Sequence, residues 1–127
     1  MIESHVSLGV PAQPAFARSV RMMAANLAVL CSMSVEEVED ARMAAEEAFV
    51  YACATGLDEC SISFDVSDDQ LSMSFELGSG ADESDATVAE QIGLALVLLS
   101  AVSDEYVLDR EGRSLRVIKL AGGFHGA

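Results

Sequence analysis

The chain has 127 residues, enough for one compact domain with a real core, and no shift in composition marks a second, so residues 1–127 are read as a single domain. Twenty-one acidic residues against seven basic ones give a net charge of −14, which repels phosphate backbones and anionic surfaces and argues against binding to nucleic acid or membrane. Hydrophobic content is 51% and mean hydropathy +0.33, yet the longest apolar run, Ile92 to Leu99 continuing through Ser100 to Val102, is too short to span a bilayer.

In chain order, Val6, Leu8 and Val10 alternate with Ser7 and Gly9 as a short strand, and Pro11 and Pro14 punctuate the entry to a helix over about Pro14 to Cys31. Ser34 and Glu37 form a Ser-x-x-Glu capping box that opens a second helix, and Gly56 closes it. Ile62, Phe64 and Val66 alternate with Ser61, Ser63 and Asp65. After a turn at Ser67 to Gln70, Leu71, Met73, Phe75 and Leu77 alternate with Ser72, Ser74 and Glu76, a strong hairpin signal. Gly78 to Asp85 reads as a loop, followed by a third helix over about Thr87 to Val102. Two last strands, about Glu105 to Asp109 and Ser114 to Leu120, flank a turn at Arg110 to Arg113. This order predicts an α+β two-layer sandwich: a mixed, mostly antiparallel sheet with about three helices on one face.

The helix around Asp40 to Ala54 is the most informative element. The 3.6-residue repeat sets Glu39, Arg42 and Glu46 in one charge-paired, solvated strip. Val38, Ala45, Phe49 and Ala52 form one apolar stripe; Met43, Ala44, Tyr51 and Ala54 form another, with Glu47 among them. A carboxylate in such company is either a tuned acid-base group or a partly exposed relic. Met22, Met23, Met33 and Met43 are core filler or a partner-facing surface. Three cysteines, Cys31, Cys53 and Cys60, include no CxxC pair and favour reduced thiols. His5 and His125 have no Cys or Asp at ligand spacing, so no metal site is expected. The start, Met1-Ile-Glu-Ser-His5, lacks a basic n-region and an apolar h-region, so a cytoplasmic, bacterial-type protein is expected.

The chain resembles the small anti-sigma-factor serine kinases of the GHKL (Bergerat-fold, histidine kinase-like) ATPase superfamily, whose helix reads D-x-x-L-A-x-x-E-A-x-x-N-A. Asp40, Met43, Ala44, Glu47, Ala48 and Ala52 follow that pattern, identically or conservatively. The likeness extends to the Leu8 to Ala15 entry, Gly93-Leu-Ala-Leu96, Asp104-Glu105 and Gly112-Arg-Ser-Leu115. It implies that Glu47 is the general base that activates a nucleophile towards the γ-phosphate of ATP. It also implies that position 51 would hold Mg2+.

The departures are specific. The metal-binding Asn position is Tyr51, a poor ligand for a hard cation. The basic or His residues that often follow are replaced by Ala54 and Thr55, and no basic residue lies within about ten positions of Gly78 and Gly80. The adenine box D-x-G-x-G appears as Glu76-Leu-Gly78-Ser-Gly80, where strand alternation puts Glu76 opposite the apolar face and leaves Leu77 as the inner candidate. In the second glycine box Ala95 replaces a glycine after Gly93, adding a Cβ near the phosphates. Asp82, Glu83, Asp85 and Glu90 would repel a triphosphate. Gly112 and Ser114 keep the terminal box's glycine and hydroxyl, which also suit an ordinary hairpin.

The expectation is a regulatory protein that acts through a protein partner, a sigma factor or an anti-anti-sigma-like antagonist, with a degenerate nucleotide site. The alternative is an active kinase using ATP and Mg2+ to phosphorylate the antagonist. A third reading is a self-assembling module unrelated to transcription. The resemblance also implies a homodimer, although no stretch of sequence identifies its interface.

Overall fold

The computed structural model describes residues 3–80 and 86–122. Strand β1 (Ser4–Pro11) leads into a 3-10 turn (Pro14–Phe16) and α1 (Ala17–Leu30). Helix α2 (Val35–Ala54), hairpin β2 (Glu59–Val66) and β3 (Gln70–Glu76), α3 (Ala86–Val102), β4 (Glu105–Asp109) and β5 (Ser114–Leu120) follow. The helix expected from Pro14 thus begins as a 3-10 turn, with Pro14 where its missing N–H costs nothing. The Ser34 hydroxyl accepts from the Glu37 N–H at 3.1 Å, and the Glu37 carboxylate accepts from the Ser34 N–H at 2.8 Å, which completes the capping box. Beyond α2, Gly56 takes φ +86°, the left-handed conformation that ends a helix.

The sheet order is β1-β2-β3-β5-β4 and every ladder is antiparallel, with no parallel pair among the described residues. Alternation decides the faces. Cys60, Ile62, Phe64 and Val66 of β2, Leu71, Met73 and Phe75 of β3, and Leu115 and Val117 of β5 are all buried. The register sets Phe64 opposite Met73 and Met73 opposite Val117, so one continuous apolar row crosses the three central strands. Helix α2 lies at the centre of the helical layer. It packs against α1 on one flank, α3 on the other, and β2, β3 and β5 beneath, where Ala41, Ala44, Ala45, Ala48 and Ala52 allow close approach around Phe49. The other face of the sheet is mostly polar, with Val107, Ile118 and Leu120 of β4 and β5 its apolar part. Ser7, Ser63, Ser74 and Arg116 lie in one row across four strands, and Arg116 Nε donates to Ser72 Oγ at 3.2 Å.

Two contacts tie distant parts of the chain together. Lys119, buried on the helical face of β5, lies 3.4 Å from Asp40 of α2 and 3.6 Å from Asp104 after α3. The second Glu37 oxygen accepts from the Gly122 N–H at 2.7 Å, joining the start of α2 to the chain beyond β5. No helix among the described residues is long and apolar enough to cross a membrane.

Candidate functional site

Glu47 lies on the α2 flank, half-buried, and burial first, then the neighbouring Glu46 charge, pushes its carboxyl above the ordinary glutamate range. Glu46 does not join the strip expected from the helical repeat. It accepts from Arg21 of α1 at 2.9 Å, while Arg42 pairs with Glu39 at 2.7 Å. The consequence for Glu47 has a definite sign. A carboxyl whose pKa is raised by folding favours the protonated state, so ionised Glu47 costs stability as pH rises through its folded pKa. Glu47→Gln is therefore expected to melt slightly above the parent at pH 7, by about 0.5 kcal/mol or less, with the gap closing below the ordinary glutamate pKa. Melts at pH 7 and pH 4 check this.

One turn further along α2, Tyr51 is only 3% exposed and forms part of the wall of a cleft of about 190 Å3. Thr55 of α2, Leu77 to Gly80 after β3, Ile92 of α3, and Arg110 and Arg113 of the β4–β5 turn complete the lining. Thr55 organises this junction. Its hydroxyl donates to the Ala52 carbonyl at 2.6 Å and accepts from the Gly78 N–H at 2.7 Å, and its carbonyl accepts from the Gly80 N–H at 3.3 Å. Gly78 is required by proximity, since a Cβ there would stand 2.2 Å from the Thr55 carbonyl oxygen.

The cleft gathers Tyr51, Gly78 and Gly80 from the residues expected at a nucleotide site. Glu76 and Gly112 meet in an adjoining open groove with Asp58, Gly78 and Arg113. Glu76 is exposed on the outer side of β3, opposite Ser114, and Leu77 is the buried residue on the inner side. Gly93 stands exposed inside α3, whereas Ala95 is buried. Glu47, Gly93, Ala95 and Ser114 do not line the cleft. Glu90 is exposed on α3; Asp82, Glu83, Asp85 and His125 lie outside the described residues. Because a Cβ at Gly93 would meet open space within a helix, Gly93→Ala is expected to stabilise the fold by about 0.5–1 kcal/mol, read from a urea midpoint.

The sequence reading missed the arginines. Arg110 and Arg113 lie some thirty residues beyond the glycines, but β3 pairs with β5 with Glu76 opposite Ser114, which sets Arg113 beside Leu77. The Leu77 N–H donates to the Arg113 carbonyl at 2.9 Å, and Arg113 holds φ +52°, a left-handed conformation costly for a side-chain-bearing residue. Strand register was the signal that would have found them.

A second grouping also escaped the sequence. His5 Nδ1 lies 2.9 Å from Asp65 Oδ1, and Ser7 Oγ lies 3.3 Å from His5 Nε2. The order of contacts is that of a hydrolytic triad, but all three residues stand exposed on the polar sheet face. The neighbouring hollow is lined by His5 and Asp65 without Ser7, so the serine has no enclosed cleft in which a developing oxyanion would be stabilised.

No family model matches the chain, and no curated protein matches it in sequence. The chemistry therefore rests on the residues alone. Among the described residues no group of three His, Cys, Asp or Glu side chains is placed to hold a metal ion. The three cysteines are free thiols, and burial pushes Cys60 up to about 12. Of the methionines in question, Met22 and Met43 are exposed, while Met23 and Met33 pack partly against the core.

Proposed function

We propose that this chain is a cytoplasmic regulatory protein of the anti-sigma-factor kinase-like type, acting by binding a protein partner, with its nucleotide site degenerate. The observation that carries this reading is Tyr51. A buried phenol, on the wall of the cleft that gathers Gly78 and Gly80, occupies the position where the resembling family has its metal-binding carboxamide. The buried Leu77, in place of an inward carboxylate, removes the group that would read adenine. Free thiols suit a reducing cytoplasm.

The test is a thermal melt with and without millimolar Mg2+-ATP. Ligand at about 100 times its dissociation constant adds roughly 2.7 kcal/mol, several degrees for a domain of this size. No shift is expected, and a clear rise sinks the degenerate-site reading. Pull-down from extract tests the partner, and recovery of neither a sigma factor nor a small phosphorylatable antagonist counts against the regulatory role.

One observation favours a second reading, that of an active ATP-dependent protein-serine kinase. The raised pKa of Glu47 suits a general base. Under it, Glu47→Gln abolishes phosphoryl transfer to the antagonist without loss of stability.

A further inference from the structure

Helix α3 is apolar in composition around its whole circumference. Glu90 is the one charged residue of Ala86–Val102, yet the helix is covered on one side only, where Ile92, Ala95 and Leu99 are buried. A helix of that composition is normally packed on all sides. Leu94 and Val97 are instead 58% and 63% exposed, and with Ala101 they make an uncharged outward flank at i, i+3 and i+7. Helix α2 offers a ridge beside it, in which Met43, Glu47, Val50 and Ala54 follow at i, i+4, i+7 and i+11, none of them fully buried.

The two helices run antiparallel. Gln91 of α3 lies with Val50, Cys53 and Ala54 of α2 on the wall of a hollow of about 260 Å3, while towards the other end Asp104 and Asp40 share Lys119. Equal rise per residue then puts Glu47 level with about Leu98. The Glu47 carboxylate is half-buried, pairs with no cation and accepts no hydrogen bond among the described residues. No Lys, Arg or His occurs from residue 43 to residue 109, the stretch that supplies both flanks. On the α1 side of α2, Arg21 and Arg42 are already held by Glu46 and Glu39. The trough between α2 and α3 is thus apolar with one unanswered carboxylate near its middle. In sequence, Asp82, Glu83 and Asp85 precede α3 and Glu105 follows it.

We infer that the outward trough between α2 and α3 docks an amphipathic helix of the protein partner, with apolar side chains on Leu94 and Val97 and a Lys or Arg facing Glu47. The inference rests on the partner-binding reading above and adds the surface and the chemistry of its occupant. Charge selects that occupant. A second copy meeting the trough through its own would set Glu47 against Glu47, and a wholly apolar helix would bury that carboxylate unpaired. A basic residue in the middle of an apolar stripe answers both. The geometry sets its length. From Met43 to Ala54 helix α2 rises about 16 Å, so three turns with apolar residues at i, i+3 or i+4, and i+7 cover the trough. The hollow beside Cys53 and Ala54 receives one large side chain at the end of that stripe, as an anchor pocket does within an interface.

The probe is a fluorescein-labelled synthetic helix of about sixteen residues, with Leu at those spacings, one Lys at the centre of the apolar stripe and Lys at both ends. Its control has the same composition in scrambled order. Anisotropy titration with the full chain to about 100 µM is expected to show the patterned peptide binding roughly tenfold or more tighter than the scrambled one. Leu94→Gln, at an exposed position, is expected to weaken the patterned peptide about fivefold or more. Glu47→Gln is expected to weaken it about tenfold, yet to leave unchanged a version with norleucine for the central Lys. Glu3→Gln removes the same charge from an exposed position before β1 and is expected to change either peptide by less than about twofold. Equal binding of patterned and scrambled peptides overturns the proposal. So does a folded Leu94→Gln that binds as the parent does, or a Glu47→Gln loss no greater than that of Glu3→Gln. If Leu94→Gln fails to fold by circular dichroism, Val97→Gln gives the same readout. None of these results decides the regulatory reading, which fails on partner capture, and failed capture leaves the peptide result standing.

Discussion

Gly78→Ala is expected to destabilise the fold by about 3 kcal/mol, the largest effect expected of an added methyl group among the described glycines. The added Cβ would meet the Thr55 carbonyl oxygen at 2.2 Å, the Thr55 carbonyl carbon at 2.9 Å and Gly56 at 3.2 Å, all backbone atoms that cannot rotate aside. Relief requires the end of β3 to move away from the end of α2, which stretches the bond from the Gly78 N–H to the Thr55 hydroxyl and the bond from Gly80 to the Thr55 carbonyl. Urea unfolding of the variant should show a lowered midpoint with an unchanged slope. The contrast with Gly93→Ala is diagnostic: the same chemical change, in the open space of α3, is expected to raise stability. A small effect at position 78 would mean that the cleft's floor is more compliant than these distances describe.

The second large effect is expected at Lys119. Its side chain is 11% exposed and stands between Asp40 and Asp104, the latter 15% exposed and also accepting from the Leu120 N–H at 2.7 Å. Lys119→Ala leaves those carboxylates without their cation and removes an aliphatic stem from beneath α2, with an expected cost of about 3 kcal/mol. Asp40 is 43% exposed and can rehydrate, which holds the cost at the low end for a broken buried pair. Replacing the charge and its most buried partner together should be milder. In Lys119→Met with Asp104→Asn the amide oxygen still accepts from Leu120, and most of the loss should be recovered. Denaturant titration of the single and double variants reads the coupling, and additive losses would show that the charges act independently.

Much of the architecture was legible because it is written in local chemistry. Alternation in Ile62 to Val66 and Leu71 to Leu77 placed the central hairpin, and Ser34 with Glu37 placed the start of α2 within a residue. The polar strip on α2 was only half right. The helical repeat brings Glu39 and Arg42 together but is blind to Arg21, which reaches Glu46 from another helix. The site was less legible for the same reason. That Glu76 turns outward followed from parity along β3, but Arg113 enters only through the pairing of β3 with β5, a long-range fact. Gly78 read as a turn residue, yet its requirement comes from Thr55, twenty-three residues away. The contact of His5 with Asp65 likewise depends on the β1–β2 register.

Glu37 gives the first turn of α2 a remote dependence. One carboxylate oxygen caps the helix and the other holds the Gly122 N–H, so the last residues of the described fold share an anchor with the helix that carries Glu47 and Tyr51. A handle attached at that end, or a binder that pulls the main chain away at Gly122, acts on the base of the central helix although it touches no residue of the cleft. Glu37 is in that sense a splice between the start of the central helix and the main chain after β5, and strain applied at one is felt at the other.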